Sequence, residues 1–256
     1  MKKILLLTLV SFFAFGVSFA QKKNVAVVTF YVDKYIGANK IVAESRQSTY
    51  EMTQQDDPRF DLNPILIDFH KTFMKKYVKE FPFELVDEEA VLADPKYQAY
   101  KGLEGVEDQD SLDKLNEAIN DRFIAIKGYN VLLTGGNMLR SWRTESHMIQ
   151  VLEDHNVDGV MFVSMYYAWE PKVSIGGIGK AGIRAFIKLE LFNKEAKKVF
   201  SLDEYATSKK GVALIGGAPI LDYDKLLPMC ENATEILLED LEKKLPKLIK
   251  KVDKNM

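Results

Sequence analysis

The chain has 256 residues, with 35 Lys+Arg against 37 Asp+Glu, one cysteine and three histidines. A lone Cys230 excludes an internal disulfide framework, and three histidines beside it leave few ligands for a structural zinc site. The near-neutral charge gives no footprint for nucleic acid, and 47% hydrophobic with 28% charged residues matches a globular chain.

Residues 1–20 read as a secretory signal peptide. Lys2 and Lys3 form a positive start, Ile4–Val10 and Phe12–Phe19 are apolar, and Ser18-Phe19-Ala20 places small residues before Gln21. The apolar stretch is about as long as the shortest spanning helices, roughly 17 residues. The Ser-x-Ala exit and the polar Gln-Lys-Lys-Asn that follows favour cleavage over an anchor. Cleavage would remove Lys2 and Lys3, leaving 236 residues with 33 basic and 37 acidic side chains. No cysteine near the cleavage point offers a lipid anchor. No later run approaches the ~18 apolar residues of a spanning helix. The expected product is exported, periplasmic or extracellular, and soluble or peripheral.

Residues 21–256 are expected to form one domain. Val25–Val32 is a β-branched apolar run suited to a strand buried on both faces. Asp33–Asn63 is polar and about thirty residues long, too long for a plain loop, so an insertion is expected at about 33–63. Pro64 opens a helix with Leu66, Phe69, Phe73 and Tyr77 on one face. Phe83–Val86 reads as a short strand, followed by an Asp87 N-cap with Glu88 and Glu89 in the first turn. Asp94–Asp110 reads as a polar connection. Ser111 or Asp110 then caps a helix facing inward with Leu112, Leu115, Ile119 and Phe123. Ile124–Asn137 fits either a strand or a buried helix. Glu145–His155 is helical, with Met148, Ile149 and Leu152 inward and Asn156 and Gly159 as stops.

Three strands follow. They are Gly159–Trp169, the strictly alternating Ile183–Phe192, and Val199–Thr207. Asp222–Lys251 is a long C-terminal helix whose stripe is Leu227, Cys230, Thr234, Leu237, Leu241 and Leu245, with Pro246 kinking or ending it. The expected fold is α/β (α+β), a mixed and partly antiparallel sheet with helices packed on it.

Few motifs carry chemistry. Gly177-Ile178-Gly179-Lys180-Ala181-Gly182 matches G-x-G-x-x-G, but a strand follows it, so no helix N-terminus is there to take a pyrophosphate. His147 and His155 are eight apart, two turns, too far to ligate one ion as an i,i+4 pair does. His70 sits beside Phe69 and Phe73. The acidic run Glu107–Asp110 fails an EF-hand loop at three positions. Cys230 lies on an apolar stripe and reads as packing. The tail Lys243–Lys251 is basic and amphipathic, and the lysines complement the helix dipole. A peripheral membrane contact is the other reading of that tail. Arg140, Trp142 and Arg143 form a cationic-aromatic cluster. No catalytic residue, cofactor or metal site is assigned.

Strand order brings two glycine-rich loops to one end of the sheet. They carry Val173, Ile175, Gly176, Gly177, Ile178 and Gly179 in one, and Val212, Leu214, Ile215, Gly216 and Gly217 in the other. Exposed together they would form an apolar interaction patch. Otherwise they fold over the sheet end and close the core.

The pattern from about 155 to 245 resembles the CsgG family of curli secretion components and related envelope proteins. It starts with a helix and Asn156-Val157-Asp158-Gly159-Val160 leading into a strand. The Gly-rich connection Ser174–Gly179, the alternating strand ending Glu190-Leu191-Phe192-Asn193, the return strand to Thr207-Ser208 and a long helix complete it. Asn24–Val28 and Phe83–Asp87 fit the first half more loosely. The resemblance implies a compact α/β sandwich at the cell envelope, working by contact and often by oligomerisation. The lipid-anchoring cysteine and the long hairpins of a transmembrane barrel are absent from the pattern. The expected function is non-catalytic, through an envelope protein partner or a second copy of the chain. A hydrolase whose carboxylates converge in the fold and a small-ligand carrier are the alternatives.

Overall fold

The computed structural model describes residues 22–37, 58–102, 108–134, 144–220 and 222–251. The expected signal peptide, most of the 33–63 stretch and the Arg140/Trp142/Arg143 cluster lie outside them.

Strand β1 (Lys23–Gly37) is longer than its apolar run, so the polar stretch departs only after Gly37. Asp33 and Tyr35 stay in the strand, where Arg122 pairs with Asp33 at 2.8 Å and its guanidinium lies 5.0 Å from the Tyr35 ring. Helix α1 (Asn63–Lys75) has Pro64 in its first turn and buries Ile65, Leu66, Phe69 and Phe73. Tyr77 follows on a single 3-10 turn and donates its hydroxyl to the Leu238 carbonyl. After β2 (Phe83–Leu85), Asp87 caps α2 (Glu88–Ala93), accepting from the Ala90 N–H.

The expected polar connection 94–110 contains a helix of its own, α3 (Pro95–Ala99). Asp94 caps it and Pro95 starts it, a local signal that the surrounding charges obscure. Helix α4 (Gln109–Arg122) is capped by Asp108, and not by Asp110 or Ser111. Asp108 accepts from both the backbone N–H and the hydroxyl of Ser111. None of its residues is fully buried. The 124–137 stretch resolves into a short β3 (Phe123–Ala125) and an irregular run to Thr134. Helix α5 (Thr144–Val151) and a 3-10 turn end at Asn156, which adopts a left-handed φ of 51°.

Strands β4 (Gly159–Ile175), β5 (Ile178–Asn193) and β6 (Lys198–Thr207) form an antiparallel meander. Two short strands, β7 (Val212–Ile215) and β8 (Ala218–Pro219), precede the long α6 (Tyr223–Leu248). Pro246 lies inside α6, two residues before the helix ends at Leu248. The buried stripe begins with Leu226, not Leu227.

One sheet joins these strands in the order β2-β1-β4-β5-β7-β8, with β3 beside β1 and β6 beside β5. Strand β1 runs parallel to β2 and β4, so the sheet is mixed and partly antiparallel. Helices cover both faces, as the continuous apolar run of β1 requires. On the first face, Ile183, Ala185, Ile187, Leu189 and Leu191 pack with α1 and α6. On the second, Ala26, Val28, Val160, Phe162 and Phe192 pack with Val91, Tyr97, Met148 and Leu152. No helix among the described residues is long and apolar enough to cross a membrane.

Candidate functional site

The two glycine-rich loops are two strand pairs closed by Gly-Gly turns. β4 and β5 continue pairing to Ile175↔Ile178, where Gly176 and Gly177 have φ of 59° and 80°. β7 and β8 pair at Ile215↔Ala218, and Gly216 and Gly217 have φ of 62° and 80°. Positive φ at both central residues belongs to the tight hairpin turn whose twist matches the strands, and glycine adopts it without strain. The second hairpin then pairs along the first, with Gly179↔Leu214, Lys180↔Ala213 and Ala181↔Val212. The Gly217 N–H donates to the Gly177 carbonyl at 2.9 Å. The result is a four-stranded tongue at the end of the sheet.

Its side chains divide by strand parity. Val212 and Leu214 point inward and are buried, so they close the core and leave the expected patch. Val173, Ile175, Ile178 and Ile215 point outward at 65%, 81%, 68% and 58% exposure. Both outcomes foreseen for the loops therefore occur, one on each face. The outward face continues along β5 into an aromatic stripe. The Tyr166 and Phe186 rings stack at 4.5 Å, and the Arg184 guanidinium lies 4.4 Å from the Tyr205 ring while pairing with Glu170 at 2.7 Å.

Glu190, placed on the polar side of β5 by its alternation, is almost fully buried. Burial works to raise its pKa, but hydrogen bonds from Lys198, Thr134 and Lys188 hold it below the usual range. The resulting ion cluster is a paired structural charge, with Lys188 Nζ at 2.9 Å. Nearby Asp203 is pushed up by burial.

The histidines are tied to carboxylates or rings. His155 Nε2 lies 2.7 Å from Asp94 Oδ2, and the His147 ring stacks near Tyr100 at 6.4 Å. His70 Nε2 lies 2.8 Å from Glu88 Oε1. That bond chiefly holds the Glu88 carboxyl below its ordinary value of 4.5, against burial. A depressed carboxyl pKa stabilises the fold above the unfolded value, and the contribution is lost as pH falls through the folded value. Glu88→Gln should therefore lower the melting temperature at pH 7 and converge with the parent protein as pH falls through the depressed Glu88 value. A gap that stays constant across that range in thermal melts would remove this role.

Among the described residues no three His, Cys, Asp or Glu side chains converge as a metal site. Cys230 is fully buried, and burial pushes its thiol up, away from reactivity. The G-x-G-x-x-G run spans a turn and a strand, as its alternation requires. In the C-terminal tail, Lys244 pairs with Glu204 at 2.8 Å and Lys243 with Asp240 at 3.8 Å.

No protein-family model matches the chain, and no curated protein matches it. A solved Helicobacter pylori structure, a "putative neuraminyllactose-binding hemagglutinin homolog", aligns over 92% of this chain and 91% of its own. Its identity is 11% and its TM-score 0.26, a likeness too weak to carry an argument about fold or function.

Proposed function

We propose that this chain is a non-catalytic, exported cell-envelope protein of CsgG-like build that acts through protein contacts, with the tongue as its contact surface. The observation that carries this reading is the row Val173, Ile175, Ile178 and Ile215, exposed on two turns that a backbone hydrogen bond locks together. Single exposed apolar residues are ordinary, but a contiguous set on a projecting element marks a partner site. Two hairpins with matched turns also present that row with little conformational freedom left to lose on binding. The occupant is an envelope protein or a second copy of the chain.

The test is a triple variant, Ile175→Ser, Ile178→Ser and Ile215→Ser. Cross-linking in intact cells should capture an adduct with the parent protein and lose it with the variant. The melting temperature should barely move, since exposed positions change stability by about 0.5 kcal/mol or less. An unchanged adduct and oligomeric state, together with lost stability, would mean that these side chains serve the fold.

A further inference from the structure

A second feature lies at the root of the tongue, where it meets the first turns of α6. A cleft of about 730 Å³ opens there between β4, β5, the 209–211 connection and α6. Five lysines line it: Lys172, Lys180, Lys209, Lys210 and Lys225. Among the described lining residues Asp224 is the carboxylate, and it pairs with Arg59 at 2.9 Å, while Lys225 pairs with Asp222 just outside the lining. Pro228 and Met229 give the cleft an apolar portion.

The backbone of the 208–210 connection is tied in place beside the cleft. Ser208 is buried, accepts from the Ile183 N–H at 3.1 Å and donates to the Lys210 carbonyl at 2.8 Å. The Lys209 N–H donates to Asn232 Oδ1 at 2.8 Å, which ties the connection to α6. Lys172 reaches across to the Lys209 carbonyl. Its stem crosses Gly182, where a Cβ would stand 2.6 Å from Lys172 Cε. Burial and the neighbouring Lys180 lower the Lys172 pKa, so these ammonium groups repel one another within a concave site. A bound anion would relieve that repulsion.

We propose that this cleft is an anion-binding site for a ligand carrying phosphate groups. Among the described lining residues the cations are all ammonium groups, and the nearby Arg59 guanidinium is engaged by Asp224. An ammonium is a compact point charge that suits a tetrahedral oxyanion, whereas planar carboxylates favour the guanidinium fork. The volume lies in the range of small-molecule sites, about 300–1,000 Å³, so the ligand is larger than a bare phosphate ion. A phosphorylated soluble compound and a phospholipid headgroup share this chemistry. The site does not depend on the outward isoleucines, so it stands or falls separately from the tongue contact.

Calorimetric titration of the full chain with inorganic pyrophosphate, and co-sedimentation with vesicles, test it. Pyrophosphate should bind saturably and more weakly as salt rises. Lys172→Gln/Lys210→Gln should weaken binding at least about tenfold. Lys180→Gln/Lys225→Gln should do the same from other elements, so a folding defect in one pair leaves the other as evidence. Lys243→Gln and the triple isoleucine variant should bind as the parent does. Sedimentation with phosphatidylglycerol vesicles that pyrophosphate reverses assigns a headgroup. Pyrophosphate binding without sedimentation assigns a soluble compound. Affinity equal in the parent and both lysine pairs, or citrate binding as tightly as pyrophosphate, would overturn the proposal.

Discussion

Phe30→Ala should lower the unfolding free energy by about 3–5 kcal/mol. Phe30 is fully buried at the middle of β1. Its ring lies 4.9 Å from Phe69, 5.6 Å from Phe73 and 4.9 Å from His70. Tyr129 adds a fourth neighbour at 6.4 Å. The ring thus joins the sheet to α1 and to the chain that follows β3. Truncation loses the transfer free energy of the ring and leaves a cavity that the neighbouring rings, held on α1 and in the run after β3, fill only in part. Urea titration should show a lower midpoint with an unchanged slope. Phe30→Leu should cost under about 2 kcal/mol, because most of the volume is kept. An alanine variant within about 1 kcal/mol of the parent would mean that the cluster repacks.

Tyr97→Phe should cost about 2–4 kcal/mol through two orphaned backbone groups. The register of β1 against β4 skips Val28, which makes it the extra residue of a β-bulge. The Val28 carbonyl instead accepts the Tyr97 hydroxyl at 3.0 Å, and that hydroxyl accepts the Asn130 N–H at 3.0 Å. The next residue completes the clamp. Thr29 donates to the Asn130 carbonyl at 2.7 Å and accepts the Leu132 N–H at 3.2 Å. One bulge and one short helix therefore hold the irregular segment after β3. A double-mutant cycle of Tyr97→Phe with Thr29→Val should show a coupling of about 0.5–3 kcal/mol, since both side chains serve Asn130. Strict additivity would mean that the two clamps act independently.

Much of the architecture is legible in the residues because its signals are local. The alternation of Ile183–Phe192 and the spacing of Leu66, Phe69 and Phe73 each name a buried face before any partner is known. Asp87 and Asn156 mark element ends by the conformations that their side chains support. The misreadings arise where local signals compete. Asp108, Asp110 and Ser111 all qualify as caps, and only the reach of the Asp108 carboxylate to Ser111 selects among them. Pro95 opens a helix that neighbouring charges disguise as a loop. Glu190 reads as a solvent-facing charge from alternation, because the second layer that covers it comes from Thr134, 56 residues earlier, and Lys198 on the next strand.

The same division holds for the candidate sites. The sequence by itself determined that two glycine-rich loops would emerge at one end of the sheet, since β4, β5 and β6 must alternate in direction. It also placed Cys230 on the buried stripe of the C-terminal helix. Only the tertiary structure decided which apolar side chains stay outside. That outcome depends on register, and a shift of one residue would exchange Leu214 for Ile215. The lysine cleft is likewise a product of folding. Lys172 and Lys225 stand more than fifty positions apart, and no periodicity links residues that meet only when a β-hairpin edge and a helix N-terminal turn pack around the same space.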